Sequence, residues 1–430
     1  MSVDSIKIGL LGLGTVGRGV YRIITGNSEN IRRRVGAGIE IKKILVRNPA
    51  KERGLEMQQA IFTTTAEEII NDPEIKIIVE VMGGLEPTLD YVAKALKNGK
   101  SVVTANKDMI AAQGKMLFEL ADANQADLLF EASVAGGIPI IRPLKQCLAG
   151  NRISQIIGIV NGTTNYMLTK MTREGTDFEA VLREAQALGY AEADPTADVG
   201  GLDAARKLAI MASIAFNSRV LPDEVYVEGI TKITAADIAY AKELNYIVKL
   251  LAIAKDTAAG IEARVHPALL PLDHPLAAVN DVYNAIYLTG DAIGDAMFYG
   301  RGAGEMPTAS AVTADILNAA RNILHQVQGM ISCTCFEDKP VRSMRDTACQ
   351  YYVRLQAVDK PGVLASIAYA FGDKEVSLAS VLQKQKDDET AEIVLVTHTV
   401  REGNMQDALQ IIAQLSAVNS VSNVIRVEEE

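Results

Sequence analysis

Tryptophan is absent from the 430 residues, and cysteine is scarce, with only Cys147, Cys333, Cys335 and Cys349. Four thiols in so long a chain do not make a disulfide framework, which suits a reducing, cytoplasmic setting. Cys333 and Cys335 alternate in a strand-like stretch with no histidine nearby, a poor start for a thiolate metal site. No apolar run approaches the roughly 20 residues that a membrane span needs. The opening MSVDS leads straight into a strand-like run, without a basic segment before an apolar core, so no targeting leader is expected. Basic tracts are missing too, and at a net charge of −10 the chain is not expected to bind nucleic acid. What remains is a globular chain, 48 % hydrophobic, long enough for about two to four domains.

From Ile6 the sequence reads IKIGLLGLGTVGRGVYRII, an apolar strand ending in Gly12-Leu13-Gly14-Thr15-Val16-Gly17 and passing directly into a helical pattern. Strand, glycine turn and helix in that order are the context of a dinucleotide fingerprint. Gly12 permits the tight turn, Gly14 lets the backbone approach a pyrophosphate, and Gly17 lets helix and strand pack closely. The second strand, IEIKKILV, ends in Arg47, where an NAD-preferring site has an acidic residue. A guanidinium there can bind a ribose 2′-phosphate bidentately, so NADP(H) is favoured, with NAD(H) the alternative.

Strands and helices then alternate to about residue 135, the pattern of a parallel sheet with helices on both faces. Lys107, in TANK, stands just beyond the carboxyl end of one strand, the edge where open α/β sheets bind ligands. The fold class expected is α/β. A Rossmann-type nucleotide domain spans 1–135, completed by a helix at about 305–328 that begins near Pro307. An α+β domain for substrate binding and dimerisation spans 136–304, in which NGTTN (161–165) reads as a turn before a helix starting near Tyr166. A linker over 329–346 leads to residues 347–430, whose order βαββαβ is ferredoxin-like.

The densest polar cluster is AQALGYAEADPTADVGGLDAARK, which brings Glu192, Asp194, Asp198, Asp203 and Lys207 into one short span. Asp203 and Lys207 are four apart, so a helix beginning near Gly201 puts them on one face. Carboxylates so placed can hold an amino acid's ammonium while a cation faces a reacting oxygen. The plain alternative is a capping loop followed by a surface ion pair.

The spacing A-x3-G-Y-A-x2-D-P-x2-D-x2-G-x-D-x3-K over Ala185–Lys207 closely resembles the signature of the homoserine dehydrogenase family. GLGTVG, TANK, NGTTNY and GRGAGEMPT are similar to that family's other landmarks, in the same order. The C-terminal module resembles an ACT domain, with Asp359-Lys360-Pro361-Gly362 matching its ligand loop. The resemblance implies reduction of L-aspartate 4-semialdehyde to L-homoserine, on the way to threonine, methionine and isoleucine. It makes Lys207 the proton donor and lets Glu192, Asp203 and Asp198 hold the substrate. It sets Lys107 between cofactor and substrate and adds Gly189 and Gly304 to the cofactor contacts. Glu131, with the backbone of Val134, Gly136 and Ile138, matches the family's sodium site; on its own that stretch reads as a strand end and a tight turn. A homodimer or homotetramer with threonine as effector at the ACT module completes the expectation.

Two other readings stay in view. An aspartate-semialdehyde dehydrogenase needs a cysteine nucleophile, yet Cys147 follows no glycine turn and has no adjacent histidine. An amino-acid sensor built on a degenerate nucleotide fold predicts a broken signature, whereas Lys107, Asp203 and Lys207 are all present.

Overall fold

In the computed structural model, which describes residues 4–55, 57, 59–327, 332–385 and 389–429, the chain divides into two compact units. The first comprises Met1–Ile153, Arg206–Pro222 and Thr289–Asp338; the second comprises Ser154–Ala205, Asp223–Leu288 and Lys339–Glu430.

The first unit is built on six parallel strands: β1 (Ser5–Leu11), β2 (Gly38–Leu45), β3 (Phe62–Thr63), β4 (Ile75–Glu80), β5 (Ser101–Thr104) and β6 (Leu128–Leu129). Their order is β3-β2-β1-β4-β5-β6, so the winding reverses between β1 and β4, and a crevice opens beyond the carboxyl ends of those strands. Ile8, Leu10, Ile77 and Val79 are completely buried, because helices cover both faces of the sheet. One of these helices, Glu305–His325, comes from far along the chain and packs Ala309, Val312, Ile316 and Ala319 into the same core. It approaches the helix Thr15–Gly26 so closely that a Cβ on Gly19 would lie 2.6 Å from the carbonyl oxygen of Glu305. The helix opens two residues before Pro307, which falls in its first turn. Residue 328 of the expected helix and 329–331 of the expected linker lie outside the described residues.

The second unit carries β7 (Ile153–Ile159), β8 (Tyr226–Val227), β9 (Tyr246–Thr257), β10 (Gly260–Pro271) and β11 (Tyr283–Gly290). After β12 (Gly294–Arg301), which falls in the first unit, come β13 (Ala348–Val358), β14 (Leu378–Gln385), β15 (Thr390–Thr397), β16 (Val400–Arg401) and β17 (Val418–Val427). Within this unit the strands run β11-β7-β9-β10-β17-β13-β15-β14. The long pair β9 and β10 is antiparallel, with nearly every residue of β10 buried.

The C-terminal module has the βαββαβ order, with β16 as a two-residue addition. Its helices Val363–Asp373 and Glu402–Ile412 pack Ile367, Phe371, Met405 and Ala408 over β13 and β15. Its last strand, β17, pairs antiparallel with β13 on one side and parallel with β10 on the other, through Ala268 opposite Arg426 and Leu269 opposite Val427. Three buried arginines reinforce this junction. Arg264 donates to Glu262 and Glu428, both at 2.8 Å; Arg354 donates to Asp237 at 2.7 Å; Arg426 donates to Glu228 at 2.8 Å and to Glu402 at 2.8 and 2.9 Å. Among the described residues no helix is long and apolar enough to cross a membrane.

Candidate active site

The glycine turn after β1 has a separate reason for each of its glycines. Gly12 adopts φ +103°, a left-handed conformation that a side chain would strain. A Cβ on Gly17 would lie 2.4 Å from the carbonyl oxygen of Gly12, so only glycine lets the helix Thr15–Gly26 close on the strand. At Gly14, by contrast, an added Cβ would meet nothing within 4 Å. Gly14 lines a pocket together with Gly12, Leu13, Thr15 and Arg47. Val16 follows as the second residue of the helix.

Three cations join Arg47 in this pocket, Lys51, Arg53 and Arg18, the last of them paired with Glu305. Arg53 is held by the carbonyls of Asn48 (2.6 Å) and Lys51 (2.5 Å), with its guanidinium 5.1 Å from the ring centre of Phe62. Sequence reasoning took Arg47 alone; the run RNPAKER carries Lys51 and Arg53, and charge density was the available signal.

Beyond β4 and β5, a buried carboxylate organises the sheet edge. Glu80 is completely buried and accepts from the backbone N–H groups of Met82 (2.7 Å) and Gly83 (3.0 Å) and from the hydroxyl of Thr104. Burial pushes its carboxyl pKa up, against those hydrogen bonds. Asn106 then caps the helix Lys107–Ala123 by accepting from Met109 N at 3.1 Å, and donates to Gly84 O at 2.6 Å. The motif TANK is thus a strand end, a cap and the first residue of a helix, with Lys107 half-buried at the helix N-terminus.

Lys207 belongs to the helix Leu202–Ala215, which opens one residue after Gly201. Its chain neighbour Arg206 forms an ion pair with Asp108, the neighbour of Lys107, at 3.2 Å. Both partners fall in the first unit, and the contact links the start of the helix Lys107–Ala123 to the second turn of the helix that carries Lys207.

In the second unit, the signature loop is folded by short local bonds. Asp194 accepts from the backbone and the hydroxyl of Thr196 at 3.1 and 2.6 Å, which pull its pKa down. Gly201, at φ +85°, fits between Val227 and Val265. Gly189 closes the turn after the helix Phe178–Ala187, and Glu192 is exposed, its carbonyl accepting from Gln186 at 3.2 Å. Asp203 is buried at 7 % exposure.

The string NGTTN is not a turn ahead of a helix. Asn161 is the N-cap of the helix Gly162–Glu174, its side chain accepting from Thr164 N at 2.9 Å, so the helix starts four residues before Tyr166. The hydroxyl-rich composition that suggested a turn is equally that of a cap and first helical turn. The amide of the same Asn161 donates to Asp198 Oδ1 at 2.7 Å and to Asp203 Oδ2 at 2.9 Å. The sequence reading assigned no role to Asn161.

Glu131 lies in a single turn of 3-10 helix, Glu131–Ser133, and is 5 % exposed. Its carboxylate accepts from three backbone N–H groups, Ile140 (2.6 Å), Ile141 (2.7 Å) and Arg142 (2.8 Å), at the start of the π-helical turn Pro143–Cys147. Val134 and Ile138 are buried, and Gly136 between them packs against the backbone of Gly302. Asp315 accepts from Glu131 N at 2.8 Å and from Arg142 at 3.0 Å; burial holds its carboxyl up at about 7. Gly304 caps the helix Glu305–His325. In the C-terminal module, Asp359, Lys360, Pro361 and Gly362 line a small pocket with Gln383 at the N-terminus of the helix Val363–Asp373.

Comparison with known proteins adds three matched segments. Residues 12–131 match the model described as homoserine dehydrogenase, NAD binding domain; residues 139–317 match homoserine dehydrogenase; residues 351–417 match the ACT domain. The homoserine dehydrogenase of Synechocystis is 48 % identical, over 98 % of this chain and 99 % of its own length. The crystal structure of a homoserine dehydrogenase from Thiobacillus denitrificans superposes with a TM-score of 0.93 at 42 % identity, covering 100 % of this chain and 99 % of that one. A hyperthermophilic archaeal homoserine dehydrogenase in complex with NADPH superposes with a TM-score of 0.63 at 30 % identity, over 73 % of this chain and 97 % of that one.

Proposed function

The chain belongs to the homoserine dehydrogenase family of NAD(P)-dependent oxidoreductases acting on a CH–OH group, and from that premise we propose how its own residues carry the reaction. The reaction reduces L-aspartate 4-semialdehyde to L-homoserine, towards threonine, methionine and isoleucine. The nicotinamide, when bound, supplies the hydride to the aldehyde carbon. As negative charge develops on the carbonyl oxygen, the Lys207 ammonium stabilises it and delivers the proton that makes the hydroxyl. Glu192, Asp198 and Asp203 hold the ammonium end of the substrate, and Lys107 helps orient the reacting groups. The observation that carries this reading is the bond from Asn161 to buried Asp203, one helical turn before Lys207. It fixes a carboxylate in a protein interior, where a charge is kept only for a purpose or a partner.

NADP(H) is the cofactor we infer. Arg47, Lys51 and Arg53 line the same pocket as the glycine turn, which suits a 2′-phosphate, and the archaeal relative is a complex with NADPH. NAD(H) lacks that phosphate and would leave the three cations unmatched. Gly189 and Gly304 complete the set of cofactor contacts in this reading.

We also assign a sodium ion to Glu131, Val134, Gly136 and Ile138. The donors there are all oxygen, the segment is buried, and the Glu131 carboxylate is engaged by three amides, leaving backbone carbonyls as the natural ligands of a hard monovalent cation. In the C-terminal module, the loop Asp359–Gly362 lines a pocket at the start of the helix Val363–Asp373, the end of a helix that suits the carboxylate of an amino acid such as threonine. A homodimer or homotetramer is the expected assembly, and the four unpaired cysteines suit the cytoplasm. Incubation with NADPH and aspartate 4-semialdehyde tests the reading: homoserine should accumulate mole for mole with NADPH consumed. NADPH consumed without homoserine, or no turnover at all, would reject it.

A further inference from the structure

Two thiols in the first unit are placed where their chemistry goes unused by the reaction above. Cys333 is exposed and Cys335 half-buried, with Thr334 between them. The Arg219 guanidinium approaches Cys333 Sγ at 3.8 Å, and Cys335 Sγ lies 3.7 Å from the backbone carbonyl oxygen of Ser213. Both cysteines line a small, largely apolar pocket that also holds Lys145, whose ammonium sits 5.0 Å from the ring centre of Phe118 and 5.5 Å from that of Phe130. The pair therefore has two cations, Arg219 and Lys145, among otherwise largely apolar neighbours.

In this setting the two sulfurs part company. The Cys333 thiol is held well below the usual thiol range, first by a hydrogen bond from Cys335 and then by the backbone N–H of Cys335 and by Arg219. The Cys335 thiol is pushed up by that same hydrogen bond and by burial. Of the two, Cys333 is the more readily ionised. No cluster of three or more His, Cys, Asp or Glu side chains that could hold a metal is found among the described residues, so two thiols alone do not make a zinc site.

We propose that Cys333 and Cys335 form an oxidisable dithiol, in which Cys333 is the sulfur that attacks a hydroperoxide and Cys335 resolves it to a disulfide within one chain. Cys333 takes one oxygen from the peroxide, giving a sulfenic acid, while the other peroxide oxygen leaves as the alcohol or as water with one proton. Cys335 then attacks that sulfur; its own proton and the sulfenic hydroxyl depart together as water, and the S–S bond forms. Two electrons pass from the thiols to the peroxide. Arg219 and Lys145 act as positioning residues that keep the first sulfur anionic.

The full-length, reduced protein is treated first with iodoacetamide at mildly acidic pH and, separately, with one equivalent of hydrogen peroxide, and its peptides are weighed. Cys147, also exposed, is the internal comparator. Cys333 should alkylate at least about ten-fold faster than Cys147. Peroxide should remove two hydrogens from the peptide holding Cys333 and Cys335, with both thiols lost and no link to a second chain. Cys335→Ser should leave a sulfenic acid on Cys333 that dimedone traps, and Arg219→Met should slow its alkylation. Equal alkylation of Cys333 and Cys147 would overturn the proposal, as would a peroxide-induced link between chains or oxidation that leaves Cys335 a free thiol. The wild-type measurements need no variant to fold.

Discussion

The amide of Asn161 donates to Asp203 Oδ2 at 2.9 Å across 42 residues of sequence, joining the NGTTN cap to the acidic signature. The same amide reaches Asp198 at 2.7 Å, so one side chain orders two of the carboxylates assigned to the substrate. Asn161→Ala removes that donor and the cap together. It should raise KM for aspartate 4-semialdehyde and lower kcat/KM by about ten- to a hundred-fold, with NADPH affinity unchanged. Steady-state kinetics with cofactor titration check it; unaltered kinetics would reduce Asn161 to a helix cap.

Arg47→Asp should weaken NADPH selectively, by about ten- to a hundred-fold, and shift preference towards NADH. Because Lys51 and Arg53 share the pocket, the triple replacement should go further than the single one. Fluorescence titration with both cofactors reads the ratio directly, and an unmoved ratio would place the 2′-phosphate elsewhere.

Much of this was open to inspection in the sequence, and the reasons differ by residue. GLGTVG announces itself because a tight turn, an open approach and a close packing each demand glycine at a fixed place. The βαββαβ module is readable because its strands and helices follow one another locally. Glu80 was hidden, a lone carboxylate inside the apolar run IKIIVEV, since periodicity does not report which buried polar group finds donors. The parallel pairing of β17 with β10 was also invisible, because strand patterning says that a residue is buried and not which distant strand buries it. Asn161 was seen and misread, since a cap and a turn draw on the same residues.

That pairing makes the C-terminal module part of the second unit's sheet. Arg264 is 1 % exposed and its partner Glu428 lies in the last residues of the chain. A chain ending at Val341 would keep Arg264 and lose Glu428, and would keep Asp237 without Arg354 and Asn423. Glu428→Gln should cost about 3–5 kcal/mol of stability, the usual cost of breaking a buried pair from one side. The truncation should cost more and lower the melting temperature of any catalytic fragment. Scanning calorimetry of both decides; a truncated chain as stable as the full one would show that the junction contributes nothing.

Asp315 should make stability fall as pH rises through neutrality. Its folded pKa is raised by burial from 3.8 to about 7, so between those values the folded state holds a proton that the unfolded state has released. The contribution is fully present below about pH 4 and is lost by pH 7. Glu131, Arg142 and Lys145 face the same carboxyl; Lys145, itself lowered to about 8 by burial, titrates above this window. Denaturant midpoints across pH 4 to 7 should decline less in Asp315→Asn than in the wild type, and parallel profiles would show that Asp315 is ionised throughout.

The role of Lys207 is tested most directly by single-turnover reduction of aspartate 4-semialdehyde with bound NADPH, wild type against Lys207→Ala. The lost interaction is made mainly as charge develops on the oxygen, so the variant should bind NADPH as tightly as the wild type. Hydride transfer should be slowed by about a thousand-fold or more. A transfer rate within a few-fold of the wild type would contradict the account and remove Lys207 from the chemistry.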